Sequence, residues 1–204
     1  MEFDHVVRRR RMIRDFTDSP IDPATLDGLL DLARRAPSGG YSQGFDFLVL
    51  EGPEQTERFW SHTLPAPERE SFRWPGLIEA PVLVLPLAHA QAYVDRYAQP
   101  DKAATGLGVG AEAWPVPYWY IDTAMATQNL LLSVVDAGLG ALFFGIFRNE
   151  AALLADLGVP DGHRPIGVVA IGHPTAEALA VKAEGSVLRR RRRAFDAVVH
   201  RGRW

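Results

Sequence analysis

Residues 36–50 read APSGGYSQGFDFLVL, a loop-forming stretch that runs straight into a strand-forming one. The last six residues are apolar apart from Asp46 and are bounded by Gly44, the signature of a strand. Three glycines and two serines fall within residues 36–45. Ten residues of this kind are more than a helix-to-strand turn needs, and their backbone can approach a ligand closely. On the upstream side, Asp22 caps a helix and Pro23 suits its first position. Leu26, Leu29, Leu30 and Ala33 then recur at helical spacing and give that helix one apolar face. It ends before Pro37, because the residue preceding a proline disfavours helical geometry.

Further upstream, residues 8–16 read RRRRMIRDF, with five arginines inside seven residues and Met12, Ile13 and Phe16 interleaved. This pattern reads as a helix start set against a buried anion. The apolar side chains tether the segment to a core, and the guanidinium forks face phosphate or carbonyl oxygens. A charged, frayed terminus is the alternative reading.

Downstream, a short helix is expected from Pro53 to Trp60 and a proline-rich loop over 63–69. Val82, Leu83, Val84 and Leu85 form a buried strand. Residues 88–119 show no period, yet hold Tyr93, Tyr97, Trp114, Tyr118 and Trp119. Gly106, Gly108 and Gly110 imitate a dinucleotide fingerprint but follow no apolar strand, so the required context is missing. A helix over 121–137 is apolar on most sides and is expected to be central and buried. Strands follow at 141–146 and 166–171, separated by a helix that Asn149 caps. A polar linker at 175–185 leads to a second arginine run at 189–193. In the last stretch, Phe195, Ala197 and Val199 alternate with Asp196, Val198 and His200, a period of two that predicts a strand. There are no internal repeats. Irregular alternation of helices and strands points to an α+β fold over a single domain, residues 1–204.

Composition narrows the chemistry. The chain has 204 residues and a net charge of −3, which speaks against binding nucleic acid over its general surface and leaves two arginine clusters as the basic footprint. Cysteine is absent, which excludes disulfides, thiolate metal sites and cysteine nucleophiles. The six histidines include no H-E-x-x-H pair, so no metal is expected, and His89, His163 and His173 are given no role. Ser38 and Ser186 lack a nucleophile elbow. Neither an apolar leader nor a membrane-length apolar run is evident, so no membrane partner and a cytoplasmic location are expected.

Four motifs, in this order, resemble the FMN-dependent nitroreductase family. The opening pattern, roughly RRSxRxF, lies over Arg10, Arg11, Met12, Ile13, Arg14, Asp15 and Phe16. The second, APSxxNxQPW before a strand, lies over residues 36–45. The third, an asparagine-bearing helix ending in GLG before a strand, lies over Gln128, Asn129 and Leu130 through Gly138, Leu139, Gly140 and Ala141. The fourth is Gly172, His173 and Pro174 followed by the basic run. Met12 stands where the family has serine, Tyr41 where it has asparagine, and Gly44 and Phe45 where it has Pro-Trp.

The resemblance implies a central mixed sheet flanked by helices, in an intertwined homodimer that exchanges C-terminal arms. It implies bound FMN, NAD(P)H as electron donor, and a nitro, quinone or activated alkene acceptor served by a ping-pong scheme. Arg10 and Arg14 would flank the flavin, with Arg190 and Arg192 completing a phosphate grip. Arg11, Met12, Pro37, Ser38, Gly39, Tyr41, Gln43, Gly140, Leu142 and Phe143 would form the rest of the cofactor site. Ser38 and neighbouring backbone would reach the partner's flavin, and backbone near residues 140–144 would hydrogen-bond the central ring. Tyr41, Trp114, Tyr118 and Trp119 would line the substrate pocket. No side chain need be a nucleophile, because the flavin carries the chemistry. The alternatives are a flavin carrier or sensor of the same fold, one reduced by something other than nicotinamide, and, more remotely, nucleic-acid binding through the arginine clusters.

Overall fold

The computed structural model of the chain describes residues 1–180 and 192–204. The elements run α1 (Phe3–Arg9), α2 (Pro23–Ala33), β1 (Phe45–Glu51), α3 (Gly52–Thr63), α4 (Ala66–Arg69), β2 (Val82–His89), α5 (Ala90–Tyr97), α6 (Tyr118–Asp136), β3 (Gly140–Phe144), α7 (Glu150–Asp156), β4 (His163–Pro165), β5 (Val168–Gly172) and α8 (Ala176–Ala180). The sheet order is β1-β2-β5-β3, with β4 also paired to β2.

Alternation along the strands divides the core. Leu83, Leu85 and Leu87 of β2, with Val168 and Ala170 of β5, face a layer that contains Phe59 and Trp60 of α3 and Leu153 of α7. Val82 and Val84, with Val169 and Ile171, face Leu26, Leu29 and Ala33 of α2 and Leu130, Leu131 and Val134 of α6. Because both faces are covered, β2 and β5 read as unbroken apolar runs. Asp22 accepts from the Thr25 backbone N–H at 2.9 Å and caps α2 as the sequence predicts.

Pro86 lies inside β2. Its carbonyl accepts from Ile166 N–H at 3.0 Å, on the side where β5 pairs with residues 82–84 and β4 with residues 87–89. In an antiparallel strand a residue's N and C=O point the same way. The missing donor therefore falls in the gap between β5 and β4, where the ladder needs none.

Several expectations are corrected. The sheet is antiparallel at every strand pair, not mixed; its parallel pairing is the isolated bridge between Met12 and Ala141. The connections between strands are long enough to return the chain in either direction, so pattern alone could not fix strand sense. The arginine run does not start a helix: α1 ends at Arg9, and residues beyond it are extended, held by bridges at Met12 and Phe16. Residues 90–97 form α5, which at eight residues is too short to show a period in the usual window. The 63–69 and 175–185 stretches, read as loop and linker, contain α4 and α8. Asn149 precedes α7 with φ +53° and makes no capping bond; its side chain instead donates to His62 O at 2.9 Å. Helix α6 is buried on one face only, through Asp122, Thr123, Ala126, Thr127, Leu130 and Val134, while Ile121, Ala124 and Gln128 are exposed. Phe195–Ala197 is a 3-10 turn and not a strand. No helix among the described residues is long and apolar enough to cross a membrane.

Candidate functional site

The first arginine segment docks along the open edge of β3. Ile13 N–H donates to Ala141 O at 2.9 Å, and Phe143 N–H points outward to Met12 Sδ at 3.5 Å, a weak acceptor. Buried Ile13 and Phe16 anchor the segment in the core. Gly140 permits the close approach, since a Cβ there would stand 3.0 Å from Ile13. Phe16 N–H donates to Gly76 O at 3.0 Å, and Thr17 N–H to His173 O at 2.9 Å. The opening motif thus meets the Gly-His-Pro motif, some 155 residues away in the chain.

The arginines diverge from this segment. Arg11 donates from Nη2 to Ala178 O at 2.9 Å and Leu179 O at 3.0 Å, and so satisfies carbonyls at the end of α8. Arg14 lies over the Trp74 ring at 5.4 Å. Arg10 Nη1 is buried and has no hydrogen-bond partner among the described residues. Arg192 is exposed, and Arg190 lies outside the described residues.

Pro37, Ser38, Gly39, Tyr41 and Gln43 sit on a separate loop packed on α5 and α6. Gly39 N–H donates to Asp122 Oδ2 at 2.8 Å, and the same oxygen accepts from Tyr93 Oη at 2.7 Å. Arg96 Nε donates to Gly40 O at 2.9 Å. Ser38 Oγ accepts from Gln43 N–H at 2.9 Å, closing the turn on itself. Gly40, Tyr41 and Gln43 have φ of +60°, +60° and +51°, so two non-glycine residues are held in left-handed geometry, a strain that surrounding bonds must maintain. Tyr41 is 75% exposed. Burial, and then the Asp122 carboxylate beside it, push the Tyr93 phenol well above its ordinary range, so it stays a donor.

Of the residues expected to line a substrate pocket, Tyr41 and Tyr118 are exposed. Trp114 and Trp119 are buried: they pack with Tyr93 and Ala88 under the loop, and Trp114 Nε1 donates to Leu107 O at 3.0 Å. The sequence reading missed Asp122, Tyr93 and Arg96 as the loop's supports. A carboxylate within an apolar helix was the available signal. It also missed that the fold brings Asp46, His89 and His163 together, a grouping that no local spacing reveals.

The fold is shared with known proteins. The model of the nitroreductase family matches residues 7–173, and the chain belongs to that family. An Archaeoglobus fulgidus protein named NADH dehydrogenase/NAD(P)H nitroreductase is 26% identical over 175 residues, covering 84% of this chain and 85% of its own. A Staphylococcus aureus NADPH-dependent oxidoreductase is 24% identical, over 85% of this chain; the chain spans only 66% of that longer relative. Among solved structures, a nitroreductase from Exiguobacterium sibiricum in complex with FMN shares the fold with a TM-score of 0.71, at 18% identity and over 93% of this chain and 95% of that one.

Does this chain's own site fit such a cofactor? A buried guanidinium nitrogen without an acceptor is costly unless an anion meets it, and Arg10 Nη1 is one. An outward Phe143 N–H held only by a thioether is a donor that a better acceptor can take. Each feature suits an anionic heteroaromatic ligand.

Proposed function

We propose that this chain is an FMN-dependent NAD(P)H oxidoreductase passing electrons to a nitro, quinone or activated alkene acceptor, and that it works in the cytoplasm as a single-domain homodimer. The buried Arg10 Nη1, unpartnered among the described residues, carries the reading, and the family membership and the names of the relatives support it. FMN, when bound, supplies the hydride chemistry. The chain's own residues bind and orient. Arg10 meets the phosphate or the pyrimidine edge as a fixed cation, and the Phe143 N–H offers a donor to the ring. Arg14, Arg190 and Arg192 add positive charge, favouring the reduced anionic form electrostatically. Gly39, Tyr41 and the Ser38 hydroxyl reach the cofactor of the partner subunit, while Tyr41 and Tyr118 border the acceptor. Donor and acceptor use the same face in turn, so positioning replaces acid-base catalysis.

The visible spectrum tests this. The purified full chain, supplied with FMN, should bind one flavin per chain and bleach anaerobically with NADPH or NADH. A nitroaromatic or quinone should then restore the yellow colour. Bound flavin that neither nicotinamide bleaches would leave a carrier or sensor; failure to take up FMN would overturn the reading altogether.

The homodimer reading rests on apolar surface that is left exposed or half-buried among the described residues. Ile121, Ala124, Met125, Leu132 and Val135 follow the outward side of α6 at helical spacing and are exposed or half-buried. In the last stretch Phe195 is 71% and Trp204 97% exposed. An arm that crosses to the partner would cover these side chains, and main-chain pairing with it would supply affinity. Deletion of residues 195–204 is expected to convert the dimer to monomer or aggregate in light scattering and to lose FMN, since the cofactor lies between subunits. A truncated chain that stays dimeric with full flavin content makes the arm a simple tail.

A further inference from the structure

We propose that Asp46, His89 and His163 form a binding site for a divalent late first-row cation, with Zn²⁺ the best match to the donor set. Sheet register brings them together. His89 of β2 lies directly opposite His163 of β4, and Asp46 of β1 lies opposite Leu87, two residues from His89. Opposed residues share a face, and so do residues two apart on one strand. All three side chains therefore project from one face of three adjacent strands. The two imidazoles already stack, with centroids 4.1 Å apart and planes inclined by 22°.

The distances suit a shared ion. One ligand atom from each residue lies within 4.8 Å of the others. His163 Nε2 stands 3.3 Å from Asp46 Oδ2, long for a hydrogen bond but close to the roughly 3.4 Å edge of a tetrahedron with zinc-ligand distances near 2.1 Å. Asp46, whose side chain is 59% exposed, is free to rotate toward a shared ion. That exposure also leaves a fourth position to water, completing the two-histidine, one-carboxylate set that zinc takes in proteins. His163 is the fixed member: its side chain is only 15% exposed, and its buried Nδ1 has no partner among the described residues. An imidazole that close-packed loses little freedom on ligation. Because His89 N–H also donates to Gly44 O at 2.9 Å, a cation here would join β1, β2 and β4 just behind residues 38–44.

The test uses the tag-free full chain, stripped with a chelator and titrated with Zn²⁺ by calorimetry, and with Co²⁺ as an optical probe in the red, clear of flavin absorption. The expected result is one saturable site per chain. Asp46→Asn and His163→Ala should each weaken it at least about tenfold, and the exposed position of Asp46 keeps that variant folded. Zinc at a hundredfold excess over Kd should raise the melting temperature by roughly 5–10 °C in the native chain, and by much less in Asp46→Asn. No saturable binding up to millimolar Zn²⁺, or binding that both variants leave unchanged, overturns the proposal and leaves an ordinary histidine-aspartate pair.

Discussion

Replacing Arg10 with methionine is expected to weaken FMN binding by about 2–5 kcal/mol, roughly thirty- to several-thousand-fold, while the apo-protein keeps or gains thermal stability. The two effects have opposite signs for one reason. In the chain alone, Arg10 Nη1 is buried without an acceptor, so the fold bears a desolvation penalty that an apolar stem of similar length removes. With an anion beside it the same nitrogen makes a charge-assisted bond, and losing it costs the complex more than an exposed contact would. Flavin fluorescence quenching gives the affinity, and melting curves of apo-protein give the stability. Arg11→Met is the internal control. Its Nη2 already serves Ala178 O and Leu179 O, so that substitution should lower apo stability by loosening the end of α8. If Arg10→Met instead destabilises the apo-protein and leaves FMN affinity alone, Arg10 is a structural residue and the flavin reading loses its main support.

The difference between these neighbouring arginines also marks how far the sequence could be read. The strands at the centre were legible because β2 and β5 are covered on both faces, which forces continuous apolar runs. Helix α2 was legible because its cap, its proline and its apolar face agree. What stayed hidden depended on partners distant in the chain. Nothing local separates Arg10 from Arg11; their roles divide only once α8 is in place. Trp114 and Trp119 looked like a wall because aromatics near prolines often are, yet Tyr93 from α5 closes over them. Helix α6 read as buried throughout because its outer stripe is also apolar, yet Ile121 and Ala124 on that stripe are exposed and Met125, Leu132 and Val135 only half-buried. The Asp46, His89 and His163 grouping spans three strands whose register no single segment encodes.

Asp122 is the second residue whose loss should be large. Asp122→Ala is expected to destabilise the protein by roughly 2–5 kcal/mol, from one buried donor at about 1–3 kcal/mol and one half-buried donor that costs less, lowering the melting temperature by roughly 5–20 °C for a chain of this size. Asp122 is 2% exposed and Tyr93 wholly buried, so the phenol cannot turn to water when the shared acceptor goes, while the half-buried Gly39 loses the bond that fixes its turn. The loss reaches the site because that bond to Gly39 begins the turn whose next residues, Gly40, Tyr41 and Gln43, are held at positive φ. With its anchor gone, the strained turn relaxes and FMN affinity should fall as well. The raised phenol makes the brace pH-dependent in a definite direction. Its contribution is fully present below about pH 10, the ordinary value of an unfolded tyrosine, and is lost as the pH rises above it. Tyr93→Phe should cost less, about 1–2 kcal/mol, because Gly39 keeps its acceptor. In the double variant Asp122→Ala/Tyr93→Phe the phenol no longer needs a partner, so the combined loss should fall short of the sum by about 1 kcal/mol or more. Urea melts of the four proteins measure that shortfall directly, and losses that add to within about 0.3 kcal/mol would mean that the carboxylate supports the loop by packing alone.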